Sequence, residues 1–306
     1  MNWPDGKPFA FTVFDDTDNA TLANVGEVYR LLVDLGFKTT KSVWPSRAPG
    51  ADPATGSTCE DPEYVEWLLS LRESGFEIGY HMNACRTSVR KETKRGLATF
   101  EALFGEPPVT MANHSRCREN TYWGTERLSS WRRIIYDIAT RYRNHGEYRG
   151  QVEGDPLFWG DLCREKIKYC RSFPYPEINT LSVCPFMPYH DKKRPFVNYW
   201  YASAEAPDVN SYVSLLAENN QERLEAEGGA CIVYTHFASG FVQEGALDSR
   251  FRRLMERLAQ RNGWFVPTGT LLDYLLERNG HHDISDQERR LLEWKWLLHK
   301  LKVGTT

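Results

Sequence analysis

The chain lacks the features of several large classes of protein. Its longest clean apolar stretch, near Cys231–Tyr234, is far shorter than the roughly 20 residues that a membrane-spanning helix needs. Its charges are balanced, with 38 Lys+Arg against 41 Asp+Glu and a net charge of −3. Such a balance gives no strongly basic surface for nucleic acid or for an anionic membrane. We therefore expect no nucleic-acid partner and no membrane span.

Signals for export and for a disulfide framework are also missing. The first residues, Met1–Gly6, contain no basic segment followed by an apolar one, so they do not resemble a secretory signal peptide. The 7 cysteines are scattered along the chain and none forms a CxxC pair, which favours reduced, buried thiols. Together these observations predict a cytoplasmic protein.

Strands and helices alternate over the first 115 residues. Apolar and β-branched runs predict strands at Phe9–Phe14, Phe37–Trp44, Phe76–Tyr80 and Val109–Ala112, and helical periodicity fills the segments between them. The same alternation returns after about residue 205, with a predicted strand at Ala230–His236. This rhythm indicates a parallel α/β sheet or barrel, and 306 residues suit one barrel with additions as well as two domains.

Polar side chains follow the predicted strands at the points where they end. Asp15 and Asp16 close the first strand, His81 the third, His114 the fourth and His236 the late strand. The carboxyl ends of parallel strands share one face of such folds, where active sites lie. Two carboxylates and three imidazoles on one rim suit a divalent metal with acid and base groups. A capping role in the next helix would explain at least one acid in this region equally well.

Several segments resemble the polysaccharide deacetylases (NodB-like, carbohydrate esterase family four). Phe11–Asp16 resembles their T-F-D-D motif, and Glu73–His81 is similar to their G-H-E-I-G-x-H. Ala230–His236 resembles their late strand that ends in a catalytic histidine, and Gly263–Thr268 their terminal strand. The matches cover both ends of the chain in the right order, whereas residues 115–205 are not matched.

The resemblance implies a distorted (β/α) barrel that hydrolyses the amide of an N-acetyl group with the help of a metal. In the family the first Asp of the motif is the general base and the second binds the metal, which assigns these roles to Asp15 and Asp16. His81 matches the first metal-binding histidine of the family. His236 matches the histidine that acts as general acid.

Three departures from the family pattern concern the metal. Thr17 replaces a glycine, Cys85 stands where the second metal-binding histidine belongs, and Asn113–Arg116 replaces the R-P-P-Y motif. Either Cys85 binds the metal as a thiolate, or His114 takes over, or no metal binds. We favour His114, and expect Zn²⁺ held by Asp16, His81 and His114 with Cys85 in reserve.

The domain organisation follows from these segments. We expect a single-domain α/β barrel over residues 1–280, an insertion over 115–205 that covers the rim, and a C-terminal amphipathic helix over 281–306. The insertion is rich in aromatic residues, which stack on sugars. Arg116, Trp123, Trp159 and Asp161 are therefore the predicted substrate-binding residues.

The predicted function is metal-dependent N-deacetylation of an N-acetylated sugar or glycan intermediate. Since no export signal is present, a small-molecule or glycan intermediate is a better substrate than an extracellular polymer. The alternative is a non-catalytic glycan-binding barrel that has lost its metal.

Overall fold

A computed structural model describes residues 3–52 and 55–304 of the chain, and the fold is built from parallel strands and surrounding helices. The strands are β1 Ala10–Asp15, β2 Thr40–Val43, β3 Glu77–Tyr80, β4 Thr110–Met111, β5 Tyr169–Tyr175, β6 Tyr199–Glu205, β7 Ala230–Thr235, β8 Val242–Gln243, β9 Ala246–Leu247 and β10 Trp264–Phe265. The helices are α1 Leu22–Asp34, α2 Pro62–Glu73, α3 Arg90–Phe104, α4 Trp131–Ala139, α5 Gly160–Lys166, α6 Thr180–Val183, α7 Val209–Leu215, α8 Glu218–Ala226, α9 Ser249–Gln260, α10 Thr268–Asn279 and α11 Asp286–Val303.

Strands β1 to β7 pair in chain order, and all of these pairs are parallel. β1 also pairs with β7 along its whole length, from Ala10 opposite Ala230 to Asp15 opposite Thr235, and this pairing closes the barrel. β10 lies beside the start of β1, whereas β2 lies beside its end. The predicted fold class, a distorted (β/α) barrel of the NodB-like type, is confirmed.

Successive side chains of β1 point to opposite sides of the barrel wall, as the period of a strand requires. Phe11 and Val13 pack in one apolar cluster with Val28 and Leu32 of α1. Phe14 belongs to a different cluster and lies under the guanidinium of Arg171, 5.3 Å from its ring centroid, inside the barrel. The two acids at the end of this strand are therefore expected to diverge.

The middle segment, residues 115–205, contributes to the barrel itself. It supplies β5 and β6, so two of the seven closing strands come from the part of the chain that sequence analysis treats as an insertion. The segment before β5 holds a short 3₁₀ helix, Gly124–Arg127, and helices α4 and α5. The stretch between β4 and β5 therefore departs from the regular alternation of strands and helices.

The C-terminal helix α11 packs on α4 and β5. Arg132 and Glu293 form a buried ion pair, 2.7 Å between nitrogen and oxygen, and the Tyr175 hydroxyl donates a 2.9 Å hydrogen bond to the carbonyl of Leu292. Within residues 3–52 and 55–304, no helix is both long and apolar enough to cross a membrane.

Candidate functional site

A cavity of about 210 Å³ opens at the carboxyl ends of the barrel strands. Its walls bring together side chains from the segments that follow β1, β3, β4 and β7, and from β5 itself. The titratable residues that line it are Asp16, Asp18, His81, Cys85, His114, Arg116, Arg127, Arg171, Tyr234 and His236. Four polar residues that the sequence places at strand ends therefore line one cavity: Asp16, His81, His114 and His236.

Asp18, His81 and His114 form a compact group that fits a metal ion, and we call these three residues the candidate metal-binding group. One carboxylate oxygen of Asp18 lies 3.0 Å from Nε2 of His81, and the other lies 2.8 Å from Nε2 of His114. The three ligand atoms lie within 4.8 Å of one another. Ligands bound about 2 Å from one zinc ion at tetrahedral angles lie about 3.4 Å apart, so small movements suffice to coordinate one. Two imidazole nitrogens and a carboxylate oxygen are donors that such metals prefer.

Neighbouring residues hold both imidazoles in place. The rings of His81 and His114 lie 5.2 Å apart between centroids, and Trp44 packs against both. The Asn120 side chain accepts a hydrogen bond from the backbone N–H of His114 and donates one to its carbonyl. Nδ1 of His114 lies 3.5 Å from Sγ of Cys117, which leaves Nε2 to face Asp18.

Asp16 faces the cavity and is paired with a buried arginine of β5. Both of its oxygens accept hydrogen bonds from Arg171, at 2.8 and 2.6 Å, and Oδ2 lies 3.8 Å from Nε2 of His81. Burial by itself raises the pKa of Asp16, but the charges of Arg171 and His81 outweigh burial and lower it below the ordinary value. Asp16 therefore stays ionised at neutral pH, beside the metal-binding group but outside its closest triad.

Asp15 lies on the other side of the barrel wall, and its environment is not that of a base in the cavity. It is fully buried and forms an ion pair with Lys41, 2.9 Å between Oδ2 and Nζ. The Tyr29 hydroxyl and the backbone N–H of Phe237 also donate hydrogen bonds to it, at 2.9 and 2.8 Å. The assignment of Asp15 as the base is corrected on this ground, because neighbouring strand residues face opposite sides.

His236 lies at the edge of the metal-binding group with a defined proton arrangement. Its Nδ1 lies 2.9 Å from the carbonyl oxygen of Pro207, which only accepts, so Nδ1 carries a proton. Its Nε2 lies 3.6 Å from Asp18 and 3.4 Å from the Tyr234 hydroxyl. Nε2 is thus the nitrogen that can gain or lose a proton in the cavity.

Other predicted site residues divide between the cavity and the rest of the fold. Cys85 lines the cavity, but its Sγ faces the Thr55 hydroxyl at 3.9 Å and is not within the metal-binding group. Arg116 and Trp123 also line the cavity.

Two of the predicted substrate-binding residues lie elsewhere. Trp159 is fully buried, and its Nε1 donates a hydrogen bond to the carbonyl of Glu119. Asp161 forms a surface ion pair with Arg90, and each of its oxygens accepts a 2.6 Å hydrogen bond. Neither residue lines the cavity, so both predicted roles are corrected: one side chain is core and the other serves a surface ion pair.

Sequence reasoning missed two residues of the site, Asp18 and Arg171. Asp18 is a third acid two positions after Asp16, in the polar cluster before α1, for which capping of that helix is an equally good explanation at the level of the sequence. The cap of that helix is Thr21, which forms a capping box with Asn24, so the acids before it are free for the site. Arg171 carried no sequence signal, because its partner lies 155 positions away.

Comparisons with known proteins support the fold. No family model and no curated protein matches the chain. Its structure is similar to a Mycobacterium smegmatis protein named as a polysaccharide deacetylase, with a TM-score of 0.53, 13% identity and coverage of 93% of this chain and 96% of that one. A Pseudomonas aeruginosa protein, also named as a polysaccharide deacetylase, matches with a TM-score of 0.50, 11% identity and coverage of 91% and 94%.

A third similar structure is that of PuuE allantoinase, with a TM-score of 0.50, 10% identity and coverage of 91% of this chain and 93% of that one. At such low identities the likeness shows the fold alone. One fold hosts different reactions, so the activity has to be argued from the residues of the cavity.

Proposed function

Starting from the barrel fold that this chain shares with polysaccharide deacetylases, we propose that it is a metal-dependent hydrolase that removes the acetyl group from an N-acetylated sugar or glycan intermediate. The observation that carries the proposal is the convergence of Asp18, His81 and His114 in one cavity, with Asp16 and His236 beside them.

The residues that would hold the metal are Asp18, His81 and His114. This set differs from the ligands predicted from the sequence in having Asp18 in place of Asp16, while both histidines remain; Asp16 belongs to a second possible group, with Asp18 and His236. A bound divalent ion such as Zn²⁺ supplies Lewis acidity toward the amide carbonyl and acidifies water. The presence of a complete donor set favours this function over a glycan-binding barrel that has lost its metal.

Asp16 is the proposed general base. Its carboxylate is ionised, lines the cavity and lies 3.8 Å from Nε2 of His81, so it stands next to the place where the reacting amide would bind. The bidentate contact with Arg171 fixes the direction of both oxygens, which leaves their remaining lone pairs to accept a proton from the attacking water. Arg171 thus acts as a positioning residue for this base.

His236 is the proposed general acid. The hydrogen bond from its Nδ1 to the Pro207 carbonyl orients the ring and keeps Nε2 toward the cavity. A proton on Nε2 can then pass to the nitrogen of the leaving amine. Asp16 and His236 therefore divide the two proton transfers of amide hydrolysis.

The size of the cavity supports a small or terminal acetamide. Its volume of about 210 Å³ is below the roughly 300–1,000 Å³ of sites that enclose a drug-sized ligand. A single sugar unit or the end of a glycan intermediate suits such a space better than the middle of a polymer. The cytoplasmic location expected from the sequence is consistent with an intermediate of this kind and stays a prediction.

Measurements of Zn²⁺ binding distinguish the ligand set with Asp18 from the set with Asp16 that the sequence predicts. The protein should bind about one Zn²⁺ per chain in isothermal titration, and Asp18→Asn or His114→Ala should weaken this binding by at least about tenfold. Asp16→Asn should retain the metal but lose about 10²–10⁴ in the rate of acetate release from N-acetylated sugars. Circular dichroism of each variant establishes that the fold persists.

Cys85→Ala serves as the matched control, because Cys85 lines the same cavity but lies outside the metal-binding group. We expect it to bind Zn²⁺ like the unchanged protein. Loss of metal in Cys85→Ala or Asp16→Asn, with normal binding in Asp18→Asn, would restore a ligand set without Asp18. Absence of Zn²⁺ binding in the unchanged protein would favour the glycan-binding alternative.

A further inference from the structure

Arg127 is a buried arginine in the cavity that the proposed reaction does not use. It ends the 3₁₀ helix Gly124–Arg127, and Arg194 fixes this segment by donating a hydrogen bond to the carbonyl of Arg127. The residue is only 8% exposed, yet it lines the same cavity as Asp18 and His114. The exposed part of this guanidinium therefore faces the space where a substrate would bind.

The guanidinium of Arg127 is stacked but has no anionic partner. Its central carbon lies 3.1 Å from the ring centroid of Trp123 and 5.3 Å from that of Trp296. Stacking engages the face of the group, whereas its five N–H donors lie in the plane. Among residues 3–52 and 55–304, no carboxylate forms an ion pair with it, although the other buried arginines of this region, Arg171 and Arg132, each have one.

The guanidinium donates no hydrogen bond to another described residue, and hydrogen bonds to a charged donor are among the stronger ones that a ligand can form. Burial lowers the pKa of Arg127 to about 10, which still keeps the side chain protonated at neutral pH. The group is therefore a fixed positive charge with unused, coplanar donors. Planar oxyanions such as carboxylates, and also phosphates, match this donor pattern in a bidentate manner.

The charges that line the cavity also favour an anionic ligand. Three arginines line it, Arg116, Arg127 and Arg171, against two carboxylates, Asp16 and Asp18. Arg171 is neutralised by Asp16, and the carboxylate of Asp18 faces two histidines. Arg127 in the wall and the exposed Arg116 at the mouth remain to attract an anion. A divalent ion at the histidines would add to this positive charge.

We propose that Arg127 is a specificity-determining residue that binds an oxyanion of the substrate, so that the substrate is an acidic acetamido compound rather than a neutral one. This inference rests on the proposed function for the acetamide, but the oxyanion site itself is independent of turnover. Arg127 contacts the carboxylate or phosphate while the acetamide lies toward Asp18 and the histidines. The same chemistry is available from a sugar phosphate or a sugar carboxylate.

Calorimetric titration of the protein, both without added metal and after loading with Zn²⁺, tests this proposal through probe binding rather than turnover. The probes are N-acetylglucosamine, N-acetylglucosamine 6-phosphate and N-acetylmuramic acid, which are neutral, phosphorylated and carboxylated. We expect at least one acidic probe to bind about tenfold or more tightly than the neutral one, and Arg127→Gln to abolish this difference. The phosphorylated and carboxylated probes distinguish the two sources of the oxyanion.

Two further variants complete the test. Arg118→Gln is the matched control. Arg118 is an exposed arginine on the same stretch between β4 and β5, but it is paired with Glu147 and does not line the cavity. The Arg118→Gln variant should keep the full preference for acidic probes. Arg127→Lys keeps the charge without the planar donors and should keep only part of it. This conservative variant preserves the test should Arg127→Gln fail to fold.

Three results would overturn the proposal. They are equal binding of neutral and acidic probes by the unchanged protein, no binding of either acidic probe, and a full preference for acidic probes in both Arg127 variants. Failure of the proposed function is a different observation. In that case Zn²⁺ binding or acetate release is absent, while a preference that depends on Arg127 can still be measured.

Discussion

The buried ion pair between Asp15 and Lys41 offers a direct test of which acid belongs to the site. Both side chains are fully buried, at 2.9 Å, and the pair lies outside the residues that line the cavity. Asp15→Asn keeps the size of the side chain and an oxygen that can accept from the backbone N–H of Phe237. The substitution removes the charge that compensates Lys41 in the interior.

The expected cost is that of an uncompensated buried charge. Removing one partner of a buried ion pair destabilises a protein by about 3–5 kcal/mol. This is a large share of the roughly 5–15 kcal/mol that separates folded from unfolded states in typical domains. With a urea dependence of about 3 kcal/mol per molar, the urea concentration at the midpoint should fall by about 1–1.7 M.

Urea unfolding followed by circular dichroism measures this loss, and the double variant Asp15→Asn with Lys41→Met is the matched control. Removing both charges together should cost less than the sum of the two single changes, since no unpaired charge is left. Zn²⁺ affinity should be unchanged in Asp15→Asn. A normal urea midpoint combined with lost metal binding or turnover would refute this reasoning and return Asp15 to the site.

Two more predictions concern pH. In Arg171→Gln, burial of Asp16 persists while its main counter-charge is lost, so the pKa of Asp16 should rise. The loss of kcat/KM on acidification should then begin at a higher pH, and an unchanged acid limb would exclude Asp16 as the titrating base. Burial raises the pKa of Glu119 to about 8, so the folded state binds a proton that the unfolded state releases above about pH 4.3. Stability should therefore fall between about pH 4.3 and 8. Glu119→Gln should remove this part of the pH dependence in urea unfolding; an unchanged profile would contradict it.

The barrel could be predicted from sequence because its signals are local. β1 and β7 are short runs of apolar and β-branched residues, and every residue of β1 is buried. Gly105 adopts a left-handed conformation directly after α3, as expected at the end of a helix. Such patterns depend on residues that are close in the chain, so they can be recognised without knowing the tertiary contacts.

The middle of the barrel was harder because its strands are stabilised by distant partners. β5 contains Arg171 and Pro174, which disguise a strand that is buried throughout. Its pairing with β6 is irregular between these two positions, a feature that often redirects side chains near active sites. Thr180–Val183, between β5 and β6, forms the short helix α6 and does not take part in the barrel wall. Burial of Arg171 in this strand is explained by its ion pair with Asp16, which the sequence does not reveal.

The two acids of the site differ from the two that the motif suggests for a geometric reason. Adjacent residues at the end of a strand diverge, so Asp15 joins the layer between the barrel and α1 while Asp16 faces the cavity. Asp18, two positions later, returns to the same side as Asp16 and meets the histidines. Asp18 lies in the turn after β1 ends at Asp15, so the period of the strand does not place it, and its position among the histidines follows from the fold of this turn.

The proposed metal group also explains how a barrel of this type can do without a histidine at position 85. Cys85 and His114 follow neighbouring strands, and both reach the cavity wall. The Nε2 atom of His114 points at Asp18, whereas the Sγ atom of Cys85 faces Thr55. An imidazole delivered from the end of β4 therefore provides the same donor chemistry as one delivered from the loop after β3. In the proposed site the number of donors would equal that of the pattern in the sequence, while their order along the chain would differ.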